Sequence, residues 1–375
     1  MTLRLEPYTA GHIRQVRDFN ERLRQGGVDA GFLLPESTSA QEPADLLEKR
    51  PGAPFVKRQF LALEDDHVRG GFLLQEQPCV IAGEARWCAN IQMPISEGLI
   101  DRKFSYVATR MLQILLRAHP FVFAVGMGHL EAPFARFLSA MKWRVALVPF
   151  RFFVFRPARF LLEIQRLHTS TVRSIAANVG AWSGLGASVI LAAQRLRRRH
   201  AADLIPDRIY RWEDQTSSLW SQYRAGCSFA AARDGETLPF FLDLTDRRLS
   251  AYRLTDRGGT LRGWIVLQVT AMDENQHFGS LRVATLLDGV CAPMFERAAV
   301  GAATACARDQ GADVILLNQQ HRHWIMASDE NGFWKGPSNY VLATSPRLTE
   351  QIGAVDPEFT KVHISRSDGD GRLNL

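Results

Sequence analysis

What this chain lacks narrows its chemistry first. Its 375 residues contain no G-x-S-x-G elbow, no P-loop and no dinucleotide fingerprint, so the common hydrolase, nucleotide-hydrolase and Rossmann chemistries are not signalled. The five cysteines, Cys79, Cys88, Cys227, Cys291 and Cys306, are odd in number and scattered. Without a C-x-x-C pair or a zinc spacing they read as buried thiols in a reducing compartment. His321 and His323 form an H-x-H with no third ligand at a usable spacing, so no metal is expected. Ser367–Asp368–Gly369–Asp370–Gly371 lacks the full spacing and terminal Glu of a calcium loop and reads as a flexible polar tail. Met1–Glu6 has no basic segment leading into an apolar one, so a secretory leader is not expected and the inferred location is the cytoplasm.

The apolar fraction of 46% and charged fraction of 22% are ordinary for a folded globular chain. The length exceeds what one hydrophobic core usually serves, which implies two domains. A net charge of +6 points to anionic partners, such as coenzyme phosphates or an anionic membrane face. Aromatic and basic residues interleave in Phe150–Arg159, but no nucleic-acid motif accompanies them, so nucleic acid is not expected.

The informative feature is an internal duplication in the order of elements. In the first half a strand at Leu3–Pro7 leads into a helix over Ala10–Arg24, and strands Gln59–Glu64 and Gly71–Gln75 flank a turn at Asp65–Asp66. In the second, Arg208–Arg211 leads into a helix near Ser217–Arg224, and Leu249–Leu254 and Leu261–Thr270 flank Asp256–Gly259. A shift of 190 residues pairs Phe134 with Trp324, Trp143 with Phe333 and Phe150 with Tyr340 without a gap. The expected domains are 1–159 and 207–375, with a helical, partly apolar, Arg-rich linker at 160–206.

Within that linker Ile175–Ala193 carries no formal charge and is followed by Arg195, Arg197, Arg198 and Arg199. At the helical rise it would reach roughly 29 Å. Gly180, Gly184 and Gly186 lower its helix propensity. An interdomain packing helix, a helix lying on an anionic membrane surface and a true span all fit. The Pro-rich insert Leu34–Pro54 reads as a long loop over the first domain.

The repeated order, with a strand ending in Asn at Val314–Asn318, an aromatic at Trp324 on the next helix and Gly332–Phe333 opening the last strand, resembles the GNAT superfamily of acyl-CoA-dependent N-acyltransferases. The whole chain resembles a tandem GNAT protein, of the type that accompanies exopolysaccharide and envelope biosynthesis. The resemblance implies a mixed α/β fold (α+β) of two GNAT-like domains, each a twisted mixed sheet flanked by helices. It also implies acetyl-CoA or a longer acyl-CoA as co-substrate, with its pyrophosphate at a helix N-terminus, where unpaired amides favour an anion.

The family's Gly-rich phosphate loop is missing from both halves. In its place the first half offers Pro94–Ser105, where Ser96, Gly98, Arg102, Lys103 and Ser105 can meet phosphates. The second offers Asp288–Glu296, with acidic Asp288 and Glu296, so coenzyme binding is expected in the first half, with Asn318 a further candidate by resemblance. Acyl transfer to an amine needs a base for the nitrogen and an acid for the leaving thiolate. The candidates are Glu97 and Glu131 in the first half, and Asp288, His321, His323 and Tyr340 in the second. The function expected is N-acylation of an amine, on a small molecule, an amino sugar or a polysaccharide precursor. The alternative is a catalytically inactive GNAT-like scaffold of an envelope assembly, and the linker adds an anionic membrane surface as a partner for either.

Overall fold

The computed structural model describes residues 3–36, 54–164, 185–199, 203–213 and 215–369. Most of the Pro-rich insert, and the linker segment with Trp182, Gly180 and Gly184, lie outside the described residues.

The first half runs β1 (Arg4–Pro7), α1 (Ile13–Gln25), β2 (Val56–Glu64), β3 (His67–Ile81), β4 (Glu84–Ser96), α2 (Tyr106–Ala118), β5 (Val122–Val125), α3 (Pro133–Ala140), β6 (Arg144–Leu147) and β7 (Phe150–Val154). Helices α4 (Pro157–Glu163) and α5 (Leu185–Arg197) lie between the halves. The second half runs β8 (Ile205–Ile209), α6 (Gln215–Arg224), β9 (Phe229–Ala231), α7 (Leu238–Phe241), β10 (Leu249–Thr255), β11 (Leu261–Ala271), β12 (Arg282–Cys291), α8 (Glu296–Asp309), β13 (Val314–Asn318), α9 (Arg322–Glu330), β14 (Trp334–Gly336), β15 (Val341–Thr344), α10 (Pro346–Val355) and β16 (Val362–His363). Local chemistry fixes several of these. Asp65 and Asp66 turn β2 into β3 with φ of 47° and 61°, the conformation a tight hairpin needs and aspartate tolerates. Pro133, Pro157 and Pro346 each open a helix, where a missing N–H costs nothing.

The strands form two mixed sheets. One has nine strands in the order β1-β2-β3-β4-β5-β15-β6, with β9 on β3 and β16 on β9; the other has seven, in the order β14-β7-β13-β12-β11-β10-β8. The halves thus exchange strands: β7 joins the second sheet, while β9, β15 and β16 of the second half join the first. β7, from the first half, inserts between β13 and β14 with Phe150 opposite Asn318 and Phe152 opposite Trp334. β15, from the second, inserts between β5 and β6 with Leu342 opposite Val125 and Val341 opposite Leu147. The sequence boundary near Arg159 divides the chain but not the sheets.

The duplication is written into the backbone at the corner before the exchanged strands. The N–H of Trp143 donates to Leu138 O at 3.0 Å, and that of Phe333 to Ser328 O at 3.1 Å. The preceding residues, Lys142 and Gly332, both take positive φ, 64° and 85°. The aromatic register of 190 therefore holds here. It loosens at the third pair, since Phe150 opens β7 whereas Tyr340 precedes β15.

Each exchanged strand is buried where it lands. Phe153 packs on Phe333 at 5.6 Å between ring centres, and Val341, Leu342 and Ala343 are buried in the first sheet. Helix α5 buries Ile190 and Gln194 and leaves Val189 and Leu196 exposed. With its amide turned to suit, Gln194 spans the backbone of Val154, donating to its carbonyl at 3.1 Å and accepting from its N–H at 3.0 Å. No helix among the described residues is long and apolar enough to cross a membrane.

Because each sheet lacks an interior strand without the other half, residues 1–159 or 203–375 expressed alone should give no sigmoidal thermal transition by circular dichroism. Phe153→Ala in the full chain should cost about 3 kcal/mol in urea unfolding. A cooperative melt of either half alone would show that the exchange is dispensable.

Candidate active site at the parted strands

Both sheets contain a place where two parallel neighbours separate. In the second, β12 and β13 pair from Val283 with Val314 to Leu286 with Leu317, and then β12 bulges against β11 between Val266 and Leu267 and runs on to Cys291. In the first, β4 and β5 pair only at Ala89 with Val122 and Asn90 with Phe123. Beyond them β4 bulges where Gly71 faces Ile95 and Leu73 faces Gln92, with Met93 at φ 46°. A bulge bends its strand and ends regular pairing, so each sheet opens into a wedge on the same side of the corresponding strands.

The second wedge is filled by the chain itself. A bridge links Gln319 to Ser365, Arg366 Nε donates to Asn318 Oδ1 at 2.8 Å, and Ser367 Oγ donates to Asp288 Oδ2 at 2.5 Å. Tyr340 OH donates to Ser365 O at 3.1 Å. Behind this segment lies Arg233, with no exposed surface. It donates through Nε to Asp288 Oδ2 at 3.1 Å and through Nη2 to both Asp368 oxygens at 2.8 and 2.7 Å. Asn90 Nδ2, from β4 of the other sheet, donates to Asp368 O at 2.8 Å. Ser367 and Asp368 are thus interior residues, and the expectation of a flexible polar tail is corrected for them: two carboxylates and a guanidinium satisfy one another where water cannot.

A hydrogen-bonded chain leads away from Asp288. Its Oδ1 lies 3.1 Å from His363 Nε2, His363 Nδ1 lies 2.7 Å from Tyr223 OH, and Trp324 Nε1 donates to that hydroxyl at 2.9 Å. With the carboxylate accepting from Nε2–H, Nδ1 is the acceptor for the tyrosine hydroxyl. Burial pushes the Asp288 carboxyl up, but the Arg233 guanidinium, with His363 and Ser367, outweighs it and holds the group below the ordinary carboxylate range. His321, at the start of α9, is buried, and its Nδ1 has no partner among the described residues. Burial, with His363 and His323 nearby, pushes its imidazole down to about 3. Asp288, Asn318, His321 and Tyr340 are therefore brought into one region, and Asp288, Asn318 and Tyr340 there hold an internal segment.

The first-half candidates have a different setting. Glu97 is buried, accepting from Arg22 Nε at 2.6 Å and Arg69 Nη1 at 2.7 Å. Such a doubly bound carboxylate shapes the loop and is poorly placed to take a proton from a substrate. Ser96 is buried beside it, and Gly98 packs so closely that a Cβ would meet Phe104 O at 2.8 Å and Ser105 Cα at 2.9 Å. That fold of the loop presents Arg102, Lys103 and Ser105 to solvent at the start of α2, with Asp101 Oδ1 accepting from Lys103 N at 2.9 Å. Glu131 is exposed in the loop between β5 and α3. All five thiols are buried, and no group of His, Cys, Asp and Glu suited to a metal occurs among the described residues.

Sequence reasoning missed Arg233, Tyr223, His363 and Asp368. The only signal was the Ser367–Asp368 motif near the C-terminus.

No protein-family model and no curated protein matches the sequence. Solved structures do match. A probable N-acyltransferase from Enterococcus faecalis V583 aligns over 93% of this chain and 74% of its own, with a TM-score of 0.51 at 9% identity. A GCN5-related N-acetyltransferase from Anabaena variabilis ATCC 29413 aligns over 91% and 72%, with a TM-score of 0.51 at 10% identity. Saccharomyces cerevisiae N-myristoyltransferase with bound myristoyl-CoA aligns over 92% and 78%, with a TM-score of 0.45 at 12% identity. What this chain shares with the first two, the probable N-acyltransferase and the GCN5-related N-acetyltransferase, is the fold: two mixed sheets flanked by helices.

Arg233→Ala strands two buried carboxylates, so it should cost about 3–5 kcal/mol in urea unfolding. For His321 the folded imidazole titrates near 3 and the free one near 6.5, so between these values the unfolded chain binds more protons and stability falls as pH falls. His321→Gln should shrink the difference in urea midpoint between pH 7 and pH 4.5. An unchanged difference would remove His321 from the acid sensitivity.

Proposed function

We propose that this protein is an acyl-CoA-dependent N-acyltransferase whose coenzyme enters the first wedge. The observation that carries this is the asymmetry of the wedges. Ser365–Asp368 fills the second, whereas among the described residues no hydrogen-bonded segment crosses the first between Gln92–Ile95 and Met127–Leu130. Met93 and Leu130 stand exposed there, and Arg102 and Lys103 project at the start of α2. An acyl-pantetheine arm suits the apolar wedge, and its phosphates suit the basic turn. Support also comes from the fold shared with a probable N-acyltransferase and a GCN5-related N-acetyltransferase.

In this reading the amine attacks the thioester carbonyl, the C–S bond breaks, and the thiolate takes up a proton. Glu131, exposed in the loop after β5, is the residue we assign to receive the proton of the amine. The acceptor proposed is an amine on a small molecule, an amino sugar or a polysaccharide precursor, the last two resting on the resemblance to tandem envelope-associated proteins alone. The filled second wedge and the missing Gly-rich loop favour a second reading, a non-catalytic GNAT-like binding protein.

Acetyl-CoA or a longer acyl-CoA should raise the melting temperature by mass action. Arg102→Ala with Lys103→Ala should weaken that binding about tenfold. Glu131→Gln should lower amine-dependent CoA release and leave acyl-CoA affinity unchanged. Unaltered affinity in the double variant moves the coenzyme away from the first wedge, and binding without CoA release to any amine favours the scaffold.

A further inference from the structure

Away from both wedges, a cleft of ≈ 520 Å3 lies between the end of α5, one face of α8 and the segment entering β8. Its volume is in the range that encloses a small organic ligand. The lining is divided. Arg195, Arg198 and Arg199 stand on one side, and Gly301, Ala302 and Ala305 of α8 form an apolar floor on the other.

The floor exists because α8 is built of small residues along that face. A Cβ on Gly301 would come within 3.3 Å of Asn331 Oδ1, so bulk there would close the cleft against the end of α9. The arginine side is incompletely neutralised. Arg199 shares Glu330 at 3.2 Å, and Asp203, the acidic residue of the lining, is turned to Arg257 at 2.8 Å. Among the described residues Arg195 and Arg198 have no ion-pair partner. Cations at a helix C-terminus are favoured by its dipole, which accounts for one or two of them. It does not account for three guanidiniums set around a cleft whose opposite wall is apolar.

We propose that this cleft binds a small phosphate-bearing amphiphile, the guanidiniums taking the phosphate and the Gly-Ala floor taking an apolar body. Phosphate is the fitting anion because several planar guanidiniums can share its oxygens, each through paired N–H donors. The site is separate from the first wedge, so it stands whether or not the chain transfers acyl groups. Its ligand comes either free in solution or as the headgroup of a lipid.

The probe is dihexanoyl phosphatidic acid, titrated calorimetrically into the full-length protein below its micellar concentration, with inorganic phosphate and anionic phosphatidylglycerol vesicles as parallel arms. Saturable 1:1 binding of the probe is expected, at least tenfold tighter than inorganic phosphate and weakened by salt. Arg195→Ala with Arg198→Ala should reduce it about tenfold. Ala305→Trp, at an exposed position that fills the cleft without altering charge, should abolish it while leaving the thermal melt unchanged. If vesicles bind and Ala305→Trp releases them, the source is a lipid headgroup; if vesicles do not bind and the probe does, it is a soluble phosphate ester. Absence of saturable probe binding overturns the proposal. So does vesicle binding that survives Ala305→Trp, because the arginines would then serve an open membrane-facing surface.

Discussion

The two sheets are tied to one another through a buried guanidinium. Arg233 follows β9, which belongs to the first sheet, and it reaches Asp288 on β12 of the second and Asp368 near the C-terminus. A charge with no solvent must be met by opposite charge and by hydrogen bonds at once, and this one is met by two carboxylates and the carbonyl of Ala231. Each further partner then has its position dictated: Ser367 by the Asp288 Oδ2 that Arg233 also meets, His363 by Oδ1, and Asn90 by the carbonyl of Asp368. The arrangement of the second wedge follows from electrostatic necessity more than from packing.

Seen in that way, the duplication has been used unequally. The two wedges are made by the same device, a bulge in the long central strand beyond a short parallel ladder. One has become a place where the chain closes on itself. In the other, Glu97 is held by Arg22 and Arg69 from neighbouring elements, which fixes the loop and leaves Arg102 and Lys103 outward. Duplicated folds can divide labour in this manner, since a site is a property of a few side chains and not of the sheet beneath them.

Much of the fold was legible in the sequence, because hairpin turns and helix starts are local. Asp65–Asp66 and Asp256–Gly259 mark their hairpins without reference to anything distant. The exchange of β7 and β15 was not legible. Phe150–Val154 and Val341–Thr344 look like any closing strands, and nothing in a strand's own residues says which sheet will accept it. The candidate region was half visible for the same reason. Asp288, Asn318 and Tyr340 stood out by position in a repeated pattern, whereas Arg233 is a lone arginine after three alanines and Asp368 sits among glycines. Composition there suggests solvent, and only a distant partner makes it interior.

The traded strands also set a timetable for synthesis. A ribosome delivers the first half well before Val341–Thr344 exists, so β5 and β6 must wait, as unpaired edges, for a strand about two hundred residues downstream. Contacts of such separation form late and slowly. During that interval the nascent chain exposes sheet edges that invite pairing with other molecules. Until its last quarter emerges the chain therefore carries a hazard set by strand order alone, one that the stability of the finished fold does nothing to relieve.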